Sequence, residues 1–166
     1  FHLDPPGTTP EVFAPGLVST DDSIELNGVL APDGREFFFT RRDEARRFVM
    51  RRSRLVDGRW TAPEVVEAFP DGSGDTAVDM GYSADGDELV ILGRGPGGLG
   101  APPGMDLWRL RRTGDGWSHA ELLPPPVSSE HHESYPCLVA DGSIYFSSRR
   151  PGGLGQADIW RAQRPS

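Results

Sequence analysis

The chain reads as all-β, a β-propeller assembled from three copies of one four-stranded blade. Three observations predict it. A turn, strand, loop and strand recur in fixed order: Ala140-Asp141-Gly142, then Ile144 to Ser148, then a Gly-rich loop from Arg149 to Gly155, then Asp158-Ile159-Trp160-Arg161. An earlier copy runs Ala84-Asp85-Gly86, Leu89 to Leu92, Arg94 to Gly100 and Asp106-Leu107-Trp108-Arg109. A looser first copy runs Pro32-Asp33-Gly34, Phe37 to Arg42 and Phe48 to Arg51. The anchor aspartates 33, 85 and 141 stand 52 and 56 residues apart, and a period near 50 with several short strands is that of a propeller blade. Finally, 21 Gly and 16 Pro in 166 residues suit many tight turns better than helices.

Each element follows from local chemistry. Residues 1–8 are rich in Pro and Gly and read as an extended arm. Ile24 to Leu30 reads as the innermost strand of unit one. Asp33-Gly34 turns the chain, because Gly takes positive φ at little cost and Asp bonds its own backbone. Glu36 to Thr40 follows, and its three consecutive phenylalanines suit a strand covered on both faces. Phe48 to Leu55 alternates apolar side chains with arginine. Asp57-Gly58 turns into Arg59 to Val66, a fourth strand whose Pro63 suits a sheet edge. Unit two repeats the order with Thr76 to Tyr82, Glu88 to Leu92, Met105 to Arg112, a turn at Asp115-Gly116 and Trp117 to Leu122. Unit three has Ser134 to Val139, Ile144 to Ser148 and Asp158 to Ala162, with no fourth strand after them. The repeats span approximately 9–58, 59–116 and 117–164 of one domain.

The missing strand has a counterpart at the other end. Thr9-Pro10-Glu11-Val12 matches Ala62-Pro63-Glu64-Val65 of the unit-one fourth strand. Three blades are too few to close a ring, which takes four to eight. Either two chains close a six-bladed ring as a homodimer, each arm completing the partner's last blade, or the repeats belong to a longer chain.

Composition narrows the partners. There are 25 acidic and 17 basic residues, a net charge of −8, and all the basic residues are arginine. Such a chain is not built for nucleic acid, which needs clustered positive charge. Cys137 is alone, so no internal disulfide forms. No apolar run reaches the 18 residues of a membrane span. The chain starts at Phe1, so the sequence does not show whether a signal peptide preceded it.

The run Ser147-Ser148-Arg149-Arg150-Pro151-Gly152-Gly153-Leu154-Gly155 with Asp158-Ile159-Trp160-Arg161 resembles the repeat of TolB-type β-propellers. The resemblance covers roughly residues 9–164. Unit one departs from it, with Arg42-Asp43-Glu44-Ala45-Arg46-Arg47 in place of the Gly-rich loop. The resemblance implies four-stranded blades, a bacterial periplasmic or secreted setting, and a non-catalytic role in binding a protein or glycan. A hydrolase acting on carbohydrate or another small envelope substrate, through acids in the central channel, is the alternative.

Candidate chemistry is sparse. The Gly-rich loops lack the helix and Lys of a phosphate loop. Arg42, Arg94 and Arg149 align across units, as do Asp106 and Asp158, and an Arg–carboxylate brace within each blade explains them. Glu25, Asp79 and Glu133 recur near the start of each innermost strand, with His131 beside the last. Such carboxylates would line the channel, either as a water-filled acidic pore or as oxygen ligands for Ca²⁺. His131-His132 read better as solvated loop residues than as zinc ligands, since neighbours on a strand point to opposite faces. No Gly-x-Ser-x-Gly or His-Glu-x-x-His motif is present. Trp108 with Trp160, and Trp60 with Trp117, sit at matched positions, which favours packing between blades over sugar stacking.

Overall fold

The computed structural model describes residues 7–70, 76–96 and 105–163, which form thirteen strands and no α-helix. Unit one holds β1 (Glu25–Leu30), β2 (Glu36–Arg42), β3 (Phe48–Val56), β4 (Arg59–Trp60) and β5 (Glu64–Val65). Unit two holds β6 (Thr76–Tyr82), β7 (Glu88–Arg94), β8 (Asp106–Thr113), β9 (Gly116–Trp117) and β10 (Glu121–Leu122). Unit three holds β11 (Glu133–Leu138), β12 (Ser143–Ser148) and β13 (Asp158–Gln163). Each unit is an antiparallel meander: β1-β2-β3-β5, β6-β7-β8-β10 and β11-β12-β13. The parallel pairing Phe48↔Thr76 links units one and two. The Gly-rich loop of unit two falls partly outside the described residues.

The three anchor turns are built alike. Asp33, Asp85 and Asp141 each accept, through Oδ1, the N–H of the residue two positions on, at 2.9, 3.1 and 2.8 Å. The glycine after each has φ of 71°, 79° and 82°, which a side chain would resist. The outer hairpins differ more. Asp57-Gly58, both at positive φ, joins β3 to β4 with Val56 opposite Arg59. In unit two Thr113 lies opposite Gly116, so the loop is Gly114-Asp115, one residue before the turn expected at Asp115-Gly116. The expected fourth strand of unit one is interrupted at Thr61-Ala62-Pro63, splitting into β4 and β5. Pro63 has no N–H to give a ladder.

Packing between units supplies the core. Phe38 and Met50 of unit one meet Leu89, Ile91, Trp108 and Leu110 of unit two. Val90, Leu92 and Leu107 of unit two meet Ile144 and Phe146 of unit three. Leu89 to Leu92 therefore sends alternate side chains into two separate cores, which is why this strand shows no polar alternation. Each such side chain contributes about 1.5–3 kcal/mol when fully buried. A third cluster joins Phe39 to Ala14 and Val18 on the far side of unit one.

The innermost strands converge, β6 packing against both β1 and β11. Gly81 is the closest approach: a Cβ there would lie 2.7 Å from the Pro136 carbonyl oxygen and 3.3 Å from Leu138 Cδ1. Backbone cannot yield as a side chain can. Gly81→Ala is expected to cost about 1–3 kcal/mol, the usual penalty of overpacking, read as a lower thermal midpoint.

Candidate functional site

Each innermost strand is broken by a bulge at the same place. The ladder slips between Leu26 and Val29 in β1, between Val78 and Gly81 in β6, and between Ser134 and Cys137 in β11. A bulge re-aims the residue inside it. Those residues are Asn27, Asp79 and Tyr135, all left-handed, with φ of 48°, 48° and 53°. Asn and Asp tolerate this conformation; for a bulky residue such as Tyr it is an outlier. Their spacing, 52 and 56 residues, repeats that of the turn aspartates.

The three bulges share a pocket of about 210 Å³ lined by Asn27, Gly28, Asp79, Met80, Tyr135 and Pro136. Asn27 Nδ2 donates to Asp79 Oδ1 at 2.6 Å. Tyr135 is 68% exposed. Burial raises the Asp79 carboxyl above its ordinary value near 3.8, while the Asn27 N–H and nearby His132 draw it part of the way back. The native state thus holds this proton more tightly than the unfolded chain. Stability falls as pH rises through that window, and at neutral pH the ionised carboxylate is a net cost. Asp79→Asn keeps an oxygen for Asn27 and is expected to raise the thermal midpoint at pH 7 by about 1–2 °C, a small gain because the site is partly exposed. The gain should vanish below pH 3.8.

The predicted carboxylate ring does not assemble. Glu25 and Glu133 start their strands, opposite Arg41 and Ser148, where β6 has Ala77 opposite Gly93. Asp79 belongs two residues further along, with Asn27 and Tyr135. Glu25 is held by Arg41 Nε at 3.0 Å and by the Thr20 hydroxyl at 2.9 Å. Glu133 is fully buried and accepts from Ser129 N and Oγ, Ser148 Oγ and Arg150. His131 is exposed beside it. Among the described residues no three His, Cys, Asp or Glu side chains gather as a metal site would need.

In units one and three the braces use other arginines than the aligned ones. Arg41 joins Glu25 to the Leu17 and Val18 carbonyls. Arg150 likewise joins Glu133 to the Pro126 and Val127 carbonyls. Arg42 and Arg149, one residue away in each unit, do not make these contacts; Arg149 is exposed. Asp158 Oδ2 closes the Gly-rich loop through the Leu154 and Gly155 amides, at 2.9 and 3.1 Å. Asp106 is fully buried and Arg94 half-buried. In unit two Phe69 packs edge-on to Trp108, ring centres 5.0 Å apart.

No family model and no curated protein matches this chain. Solved structures do. TolB from Acinetobacter baumannii superposes with a TM-score of 0.56 at 13% identity, covering 87% of this chain and 31% of TolB. The fold is that of a TolB-like β-propeller. Puromycin hydrolase superposes with a TM-score of 0.57 at 16% identity, covering 88% of this chain and 21% of the hydrolase. The propeller described here thus spans about a third of TolB and a fifth of the hydrolase. In propeller terms β1, β6 and β11 are the innermost strands, and the Asn27–Asp79–Tyr135 pocket lies on their bulges. Among the described residues no helix is long and apolar enough to cross a membrane.

The bulge triad was legible in part. Asp79 stands out as an acid near a strand start, but Asn27 and Tyr135 are ordinary residue types there. Their shared spacing is the signal, and it speaks only once the bulge is known.

Proposed function

We propose that the chain is a non-catalytic TolB-like propeller scaffold that binds a protein or glycan partner, and that two copies close a six-bladed ring. One observation supports this reading most strongly. Phe38 and Met50 are the side chains by which unit one meets unit two, and Val90 and Leu107 those by which unit two meets unit three, all at most 1% exposed. Strand register puts Tyr145 and Ile159 at the matching places in unit three, opposite Arg161 and Ser147. They are 36% and 73% exposed. A face built for packing on a next blade therefore stands open, and contiguous apolar exposure marks an interaction surface.

A second copy fits it. The outer edge of β13 carries no fourth strand among the described residues, and residues 9–12 pair with no strand while Val12 is 68% exposed. The likeness of Thr9-Pro10-Glu11-Val12 to the β5 segment makes it the matching strand, and the Phe37–Phe39 side of unit one would follow as the next blade. The likeness to TolB supports a periplasmic or secreted setting.

Light scattering after gel filtration tests the ring. A mass near twice 18.1 kDa, reduced to one chain by Ile159→Glu, is the expected result. A well-folded wild-type monomer overturns the half-ring. The hydrolase alternative rests on the likeness to puromycin hydrolase alone, and turnover of chromogenic glycosides or aminoacyl anilides would restore it.

A further inference from the structure

Three polar groups meet at the bulge pocket: a carboxylate, a carboxamide and a phenol ring. Asn27 occupies one carboxylate oxygen of Asp79 with a single N–H at 2.6 Å. The other oxygen accepts no hydrogen bond from the described residues, and Asp79 remains partly exposed along the pocket. Tyr135 stands at the same pocket, 68% exposed and held in a left-handed bulge. A strained aromatic side chain kept largely in water does nothing for the core, so its use lies in what enters the pocket.

We infer that this pocket receives a guanidinium or ammonium group carried by a protein partner. The inference deepens the scaffold reading above and rests on it. A carboxylate with a free lone pair accepts the charge-assisted N–H bonds of such a cation. A neighbouring phenol ring attracts it through its negative face. An anion is excluded by Asp79 and by the absence of Arg and Lys from the pocket lining. A bare divalent metal is disfavoured, because it needs more oxygen ligands than one carboxylate supplies, and no such group forms among the described residues. The net charge of −8 draws a cationic segment toward the molecule. In a closed ring, a second copy would bring a second Asn27–Asp79–Tyr135 set to the same channel.

The test uses the full chain and two blocked tripeptides, glycine–arginine–glycine and its citrulline counterpart, which keeps the shape and loses the charge. Proton–nitrogen spectra follow the Asn27 side-chain amide, and aromatic spectra follow the Tyr135 ring. The arginine peptide should shift both saturably, and the citrulline peptide should bind roughly tenfold more weakly, which corresponds to about 1.4 kcal/mol. Asp79→Asn should weaken the arginine peptide by a similar factor without lowering the thermal midpoint, and Tyr135→Leu should weaken it several-fold. Equal shifts from both peptides, or undiminished binding by Asp79→Asn, overturn the cation site. Ring closure is judged separately by mass, so a dimer indifferent to arginine removes the site and leaves the scaffold standing.

Discussion

Replacing Glu133 by Ala is expected to cost about 3–5 kcal/mol, the penalty of stranding one partner of a buried ion pair. Glu133 is fully buried, and Arg150 beside it is 15% exposed at the side chain. Four groups converge on the carboxylate: the Ser129 N–H and hydroxyl at 3.1 and 2.6 Å, the Ser148 hydroxyl at 2.8 Å and Arg150 at 3.1 Å. Removing it leaves a guanidinium in a low-dielectric setting without its counter-charge, held by the Pro126 and Val127 carbonyls, the Ser148 hydroxyl and the faces of Phe146 and Trp160. The same change unties the Pro126 and Val127 carbonyls from β11, so the entry to unit three loosens with it. Chemical denaturation should show a lower midpoint. Glu133→Gln keeps one acceptor and most of the shape and should cost less than Ala. A Glu133→Ala variant as stable as the parent would mean that the brace carries no net stabilisation.

Trp108→Ala should be comparably severe, about 3–5 kcal/mol, in the range for deleting a buried large aromatic. Trp108 is 3% exposed, and its Nε1–H donates to the Gly93 carbonyl at 3.0 Å. The indole fills a hollow so close to Gly95 that a Cβ there would lie 2.9 Å from its ring and 2.4 Å from that of Phe69. Truncation therefore removes transfer energy, opens a cavity and strands a carbonyl together. Units one and three tie the incoming loop to the inner strand with a Glu–Arg pair; in unit two Ala77 takes the Glu position and Phe69 packs on Trp108. A Trp108→Ala variant as stable as the parent would mean that this aromatic contact carries no net stabilisation.

Much of this architecture is written in local chemistry. The Asp-Gly turns declared themselves at 33, 85 and 141 because their hydrogen bonds span two residues and need no tertiary partner. Thr76–Tyr82 was readable to the residue, and the run Leu89 to Leu92 announced a strand covered on both faces. The site was less readable. Glu25, Asp79 and Glu133 look equivalent along the chain because each acid sits near a strand start. A shift of two residues keeps side chains on the same face of a strand, so periodicity could not separate Asp79 from the other two. The bulge did, and a bulge is set by pairing with the neighbouring strand.

The braces teach the same lesson. Adjacent arginines offer two candidates, Arg41 or Arg42 and Arg149 or Arg150, and which one turns inward depends on the register of β2 and on how the chain leaves β12. What the amino-acid order determined alone was the period, the three inner strands of each unit and the turns at Asp33, Asp85 and Asp141, because these follow from propensity and hydrogen bonds within a few residues. What only the tertiary structure decided was which acids are held in braces and which one lies at the bulge pocket, and that Tyr145 and Ile159 of unit three are exposed. Those outcomes depend on groups that meet through space from strands about fifty residues apart, where burial and low dielectric give a carboxylate its role.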